Sequence, residues 1–155
     1  FYPLLMGQAS GVYYITVDFT TMVVRFEPSQ DPDYPTALYI LGDAMPHGWD
    51  LGQAVAMTQT ALGIFTAENV PVKVGTANPD DNKGNGFKFG VSNSEWSTEY
   101  GAKEAFDDHD GQTGYRGWEL AQSSNQFYPL LMGFGDGNYR ITADLTTMTV
   151  RFEAM

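Results

Sequence analysis

The chain has 155 residues and a formal net charge of −11, with 19 Asp and Glu against 8 Lys and Arg. That balance repels phosphate backbones and anionic lipid surfaces, so nucleic acid is not an expected partner. Cys is absent, which excludes disulfides, thiol catalysis and Cys-based zinc sites, and the two His residues, His47 and His109, leave little room for a His-rich metal centre.

Hydrophobic residues make up 43% and aromatics 14%, a globular composition. No apolar run approaches the roughly 20 residues of a membrane-spanning helix. Gly numbers 17, and aromatic and β-branched runs alternate with turn residues throughout. This pattern predicts an all-β fold, an Ig-like antiparallel β-sandwich.

The chain opens with a segment that recurs at its far end. Phe1 to Glu27 and Phe127 to Glu153 align without a gap, and 19 of 27 positions are identical. Chance does not produce such a match, so the chain carries a tandem duplication. The sequence between the copies occurs once. The organisation expected is therefore the closing hairpin of a preceding repeat (1–27), a Pro-rich linker (28–35) and one complete module (36–155).

Within the first copy, Val12–Val17 and Met22–Phe26 read as strands, and Asp18-Phe19-Thr20-Thr21 reads as the turn between them, with Asp18 placed to bind the following backbone. A lone hairpin is marginally stable, so it is expected to pack on the complete module, pair with another chain or exchange with the second copy. Pro28 to Pro35 holds three prolines and two acids and reads as a stiff, solvated linker.

Ala37–Gly42 reads as a central strand, apolar on both faces. Asp43–Asp50 follows as a turn-rich loop containing Trp49. Ala54–Thr58, Gly63–Glu68 and Val70–Val74 read as short strands, and Gly86–Val91 as another. Alternation turns Val72, Val74, Phe87 and Phe89 inward, and Lys73 and Lys88 outward. Ser92 to Asn125 reads as irregular, and long loops on a β scaffold are where binding residues collect. Asn138–Glu153 is the closing hairpin.

The candidate site residues are aromatic and cationic. Trp49 is either a plug for one end of the sandwich or a flat platform for a sugar, whose apolar C–H face packs on an indole. Trp96 lies among Ser94, Glu95, Ser97 and Thr98, polar neighbours that argue for exposure. Trp118 reads as loop packing. Tyr100 belongs to the same irregular segment and is counted with the binding set. Lys73 and Lys88 are either ordinary surface lysines or hydrogen-bond donors to sugar hydroxyls beside the aromatic platform. Asn78–Gly84 lacks the glycine and the distal glutamate of an EF-hand, and it reads, like Asp107–Asp110, as a solvated turn rather than a calcium site. No nucleophile elbow, P-loop or HExxH motif is present, so no catalytic residue is assigned and no cofactor is expected.

Three blocks carry a family resemblance: Leu38-Tyr39-Ile40-Leu41-Gly42-Asp43-Ala44-Met45-Pro46-His47-Gly48-Trp49-Asp50, then Gly86-Phe87-Lys88-Phe89, then Asp144-Leu145-Thr146-Thr147-Met148-Thr149-Val150. The chain resembles the SusE/SusF family of outer-membrane lipoproteins of glycan-utilising Gram-negative bacteria, which are built from tandem β-sandwich modules. The resemblance implies non-catalytic binding of starch or a related glycan at the cell surface. Membrane attachment would come only through a lipid anchor outside this sequence. It also implies an arc of two aromatics with nearby donors. Trp49 matches the Trp of the Gly-Trp-Asp block, Trp96 sits where a second platform is expected, and Lys88 lies in the matching Phe-Lys-Phe strand. The alternative is a structural repeat of a surface array or fibre, assembled through the duplicated hairpin with neighbouring repeats or chains.

Overall fold

In the computed structural model, residues 13–28, 34–76, 83–104 and 119–155 are described. The chain divides into two compact units, Phe1–Asp33 and Tyr34–Met155. Residues 1–12, 29–33, 77–82 and 105–118 lie outside the described residues, and with them most of the expected linker, Trp118, the acidic run Asp107–Asp110 and most of the segment Asn78–Gly84.

The described part of the first unit is an antiparallel hairpin, β1 (Tyr13–Asp18) and β2 (Val23–Pro28). Its turn is set by Asp18, whose Oδ1 accepts the backbone N–H groups of Thr20 (2.8 Å) and Thr21 (3.1 Å). Met22 then takes a left-handed backbone conformation to rejoin the ladder.

The second unit is an all-β antiparallel sandwich, as the alternation and turn pattern predict. One sheet has the order β11-β10-β6-β5 and the other β4-β3-β7-β8-β9. The elements are β3 (Tyr39–Leu41), β4 (Val55–Ala56), β5 (Thr58–Ala61), β6 (Ile64–Val72), β7 (Lys88–Gly90), β8 (Glu99–Ala102), β9 (Leu120–Ala121), β10 (Gly137–Asp144) and β11 (Thr149–Ala154). Both sheets contribute to one core. Its centre is Phe65 on one side and Phe87, Phe89 and Phe127 on the other, all fully buried. Phe87 and Phe127 stack with centroids 5.3 Å apart and also exchange two backbone hydrogen bonds.

β3 lies between β4 and β7, the interior position its two apolar faces imply. Three details depart from the sequence expectation. Ala54–Thr58 is not one strand: it divides between sheets, β4 joining β3 and β5 joining β6, with buried Met57 at the crossing. The two strands expected at Gly63–Glu68 and Val70–Val74 are one, β6. It is broken only by a bulge near Asn69, where the partner register shifts between Tyr139 and Ile141 and Asn69 takes a positive φ. The segment expected to be irregular, Ser92 to Asn125, contains β8 and β9, which extend the five-stranded sheet.

The closing hairpin repeats the first unit residue for residue. Ile15 faces Phe26 as Ile141 faces Phe152, and Asp18 faces Val23 as Asp144 faces Thr149. Asp144 Oδ1 accepts from the N–H groups of Thr146 and Thr147, and Met148 repeats the left-handed turn of Met22.

Candidate functional site

The loop after β3 is shaped by glycines and backbone hydrogen bonds. Gly42 has φ +143°, and a Cβ there would collide with the Gly86 carbonyl and Phe87 Cα. Only a glycine lets the chain pass this close to the neighbouring strand. The Gly42 N–H donates to the Gly48 carbonyl (2.9 Å), and Ala44 N–H donates to the Gly86 carbonyl (3.0 Å), so the loop is closed on itself and tied to the start of β7. Asp50 finishes it by capping a short 3-10 turn, its Oδ1 accepting from Gly52 N–H at 3.0 Å. Trp49 stands between these anchors, half-buried.

Trp96 is carried by the connection from β7 to β8. Val91 N–H donates to the Thr98 carbonyl (3.2 Å), and the Ser92 hydroxyl accepts from Ser94 N–H (3.2 Å), so this loop is also closed. The two loops bring the indoles together, with ring centroids 6.4 Å apart and planes inclined at 43°. Trp96 is 54% exposed, which is unusual for the largest apolar side chain.

Lys88 joins them. It sits on the outward face of β7, and its Nζ lies 5.4 Å from the centroid of Trp49 and 5.1 Å from that of Trp96. Both distances are within cation–π range. The ammonium is fixed by Glu99 of β8, whose Oε1 is 2.7 Å away, and the two side chains are only 13% and 18% exposed. An ion pair so far out of water is held in one geometry and is costly to split. A lysine ammonium carries three donors. One is on Glu99, which leaves the others for a hydroxyl arriving over the rings. Glu99 also lines a shallow cleft of about 320 Å³ with Ser97, Thr98, Gln122, Ser123 and Ser124.

The other two expected site residues stand apart. Lys73 is exposed just beyond β6, in the other sheet; its backbone N–H donates to Ala44 (2.9 Å) and its carbonyl accepts from Asn85 Nδ2 (3.0 Å). Among the described contacts its ammonium takes no part in the indole cluster. Tyr100 pairs directly with Phe89 and packs, partly buried, against the core, so it lies on the sheet face opposite Lys88. The residue missed from the sequence is Glu99. Once β7 and β8 are recognised as neighbours, the signal is an acid on β8 that can reach across to Lys88.

The arrangement offers a flat apolar surface, a pinned cation and hydroxyl-bearing neighbours, a combination suited to a polyol. Among the described residues no three His, Asp or Glu side chains cluster as a metal centre would need. No protein-family model matches the chain, and no curated protein matches it.

Proposed function

We propose that the Tyr34–Met155 unit is a non-catalytic carbohydrate-binding module, which holds a starch-like glycan by stacking a sugar ring on Trp96 with Trp49 beside it. The observation that carries this reading is the exposed Trp96 indole, locked in a closed loop against a second indole and an ion-paired lysine. The C–H face of a pyranose packs on such a ring, and the Lys88 ammonium stands within reach of its hydroxyls. An open platform buries little surface, so single-site affinity falls in the micromolar to millimolar range, and tandem copies would compensate by avidity. The resemblance to SusE/SusF modules favours the same reading and a home on the outer-membrane surface, with any lipid anchor outside this sequence. The test is a titration of starch-derived oligosaccharides followed by Trp fluorescence. A saturable change that is lost in Trp96→Ala supports the proposal. No response to any glycan, or an unchanged response in that variant, refutes it.

A second reading, assembly through the duplicated hairpin, is favoured by a separate observation. In the first hairpin Ile15, Val17, Phe19 and Met22 are exposed, while in the complete module Ile141, Ala143 and Leu145 are buried and Met148 is partly buried against the core. In the module the equivalent face is buried in the core that both sheets build, where Phe152 meets Phe87 at 5.3 Å between ring centroids. Mass measured across a concentration series tests it, since assembly through this face raises the mass with concentration.

A further inference from the structure

Glu99 belongs to two features at once. It anchors Lys88 beneath the indoles, and it forms one wall of the cleft lined by Ser97, Thr98, Gln122, Ser123 and Ser124. Ser97 also follows Trp96 directly in the chain. The platform and the cleft are therefore neighbours, sharing a residue and a loop.

The chemistry of the cleft is uniform: apart from Glu99 its walls are hydroxyls and one amide. Of these, Ser123 is committed to the fold, since its hydroxyl donates to the Ala102 carbonyl at 2.8 Å. Gln122 and Ser124 are exposed and sit on either side of it. Amide and hydroxyl groups both donate and accept, which matches the vicinal hydroxyls of a sugar. The charge balance narrows the ligand further. Glu99 is the one charged residue among those lining the cleft and none of them is basic, so a carboxylate-bearing ligand would meet like charge there.

We propose that the cleft is a second sugar subsite, in which a neutral glycan stacked on Trp96 continues past Glu99 and is hydrogen-bonded by Gln122 and Ser124. This rests on the carbohydrate reading above. It adds the residues that hold the continuing chain, Gln122 and Ser124, and the exclusion of acidic glycans by Glu99.

The experiment compares maltose with maltoheptaose on the full chain by isothermal titration, for the parent and for the Gln122→Ala/Ser124→Ala double variant. The expected result is that the heptaose binds at least tenfold more tightly than maltose, beyond the few-fold gain that statistics alone gives a longer chain. The double variant should cut that ratio about fivefold and leave its far-ultraviolet circular dichroism unchanged. An oligogalacturonate of similar length should bind at least tenfold more weakly than the heptaose. A ratio unaltered in the double variant, with both sugars still binding, overturns the subsite and leaves the platform standing. Equal binding of the acidic oligomer overturns the neutral assignment. If neither neutral sugar binds, the carbohydrate reading itself falls, and the subsite with it.

Discussion

Ile15 and Ile141 hold the same place in two near-identical hairpins, each opposite a phenylalanine, yet Ile15 is 60% exposed and Ile141 is fully buried. The difference is the neighbour. β10 is paired with β6 in a sheet whose inner face packs on the other sheet, so Ile141 lies in a core with Phe65, Phe87 and Phe127. Near-identical local sequence thus produces the same local geometry, and burial comes from the layer packed across that face. The expected outcome of substitution follows directly. Ile141→Ala should cost the sandwich about 2–5 kcal/mol through lost burial and a residual cavity. Ile15→Ala should leave the unfolding of the sandwich within about 0.5 kcal/mol. Urea titration of the two variants checks both.

Lys88 and Glu99 form the next test. Glu99→Gln keeps the shape of the side chain but leaves the ammonium without its counter-charge. A hydrogen bond to a charged group contributes about 1.5–3 kcal/mol, and a loss of that order is expected in thermal or urea unfolding. Because the same ammonium sits over both indoles, the Trp emission of the folded variant should shift as well. A variant with the parent's stability and spectrum would show that the pair does not position the cluster.

Trp96→Ala should separate binding from folding. With over half of its surface in water, its removal should change stability by less than about 1 kcal/mol while weakening glycan binding at least tenfold, about 1.4 kcal/mol. Trp49→Ala should lower both quantities, since Trp49 is half-buried in a closed loop. Calorimetric unfolding and sugar titration on the same samples distinguish the two.

Gly42→Ala should be strongly destabilising. Its φ of +143° is closed to an L side chain, and the added methyl would press on backbone rather than on a side chain that can move. A loss of about 3 kcal/mol or more is expected in denaturant unfolding. Sugar affinity should fall in whatever fraction remains folded, because this glycine starts the Trp49 loop.

Acid stability should depend on Asp144. Partial burial alone would raise its carboxyl, but hydrogen bonds from Thr146 and Thr147 outweigh that and hold it below the ordinary carboxylate value. A carboxyl depressed in the folded state contributes stability above its unfolded pKa, near about 3.9, and this contribution is lost as pH falls through the folded value. Unfolding free energy should therefore drop below about pH 4, and Asp144→Asn should flatten that part of the profile. Equal acid sensitivity in the variant would assign the effect to other carboxylates.

Most of the frame was legible because alternation and turn chemistry are local. Phe87, Phe89, Val72 and Val74 face inward and Lys73 and Lys88 outward, as strand periodicity requires. Tertiary context decided the rest. Nothing within Ala54–Thr58 signals that the chain changes sheets at Met57, and β8 and β9 are too short to show a period. At the site, Trp49, Trp96 and Lys88 were legible singly, and the structure joins them. Tyr100 and Lys73 were placed with them by proximity in sequence and by face assignment, which cannot tell one sheet surface from another. Glu99 escaped notice because its strand did.

The duplicated hairpin has a consequence for the ends of the domain. In sequence, residues 1–126 span one repeat length in rotated order, with the closing hairpin leading rather than trailing. The seam between repeats is therefore a convention of where the chain is cut. Recombination between the two copies would excise or insert one repeat length and restore the hairpin sequence at the joint.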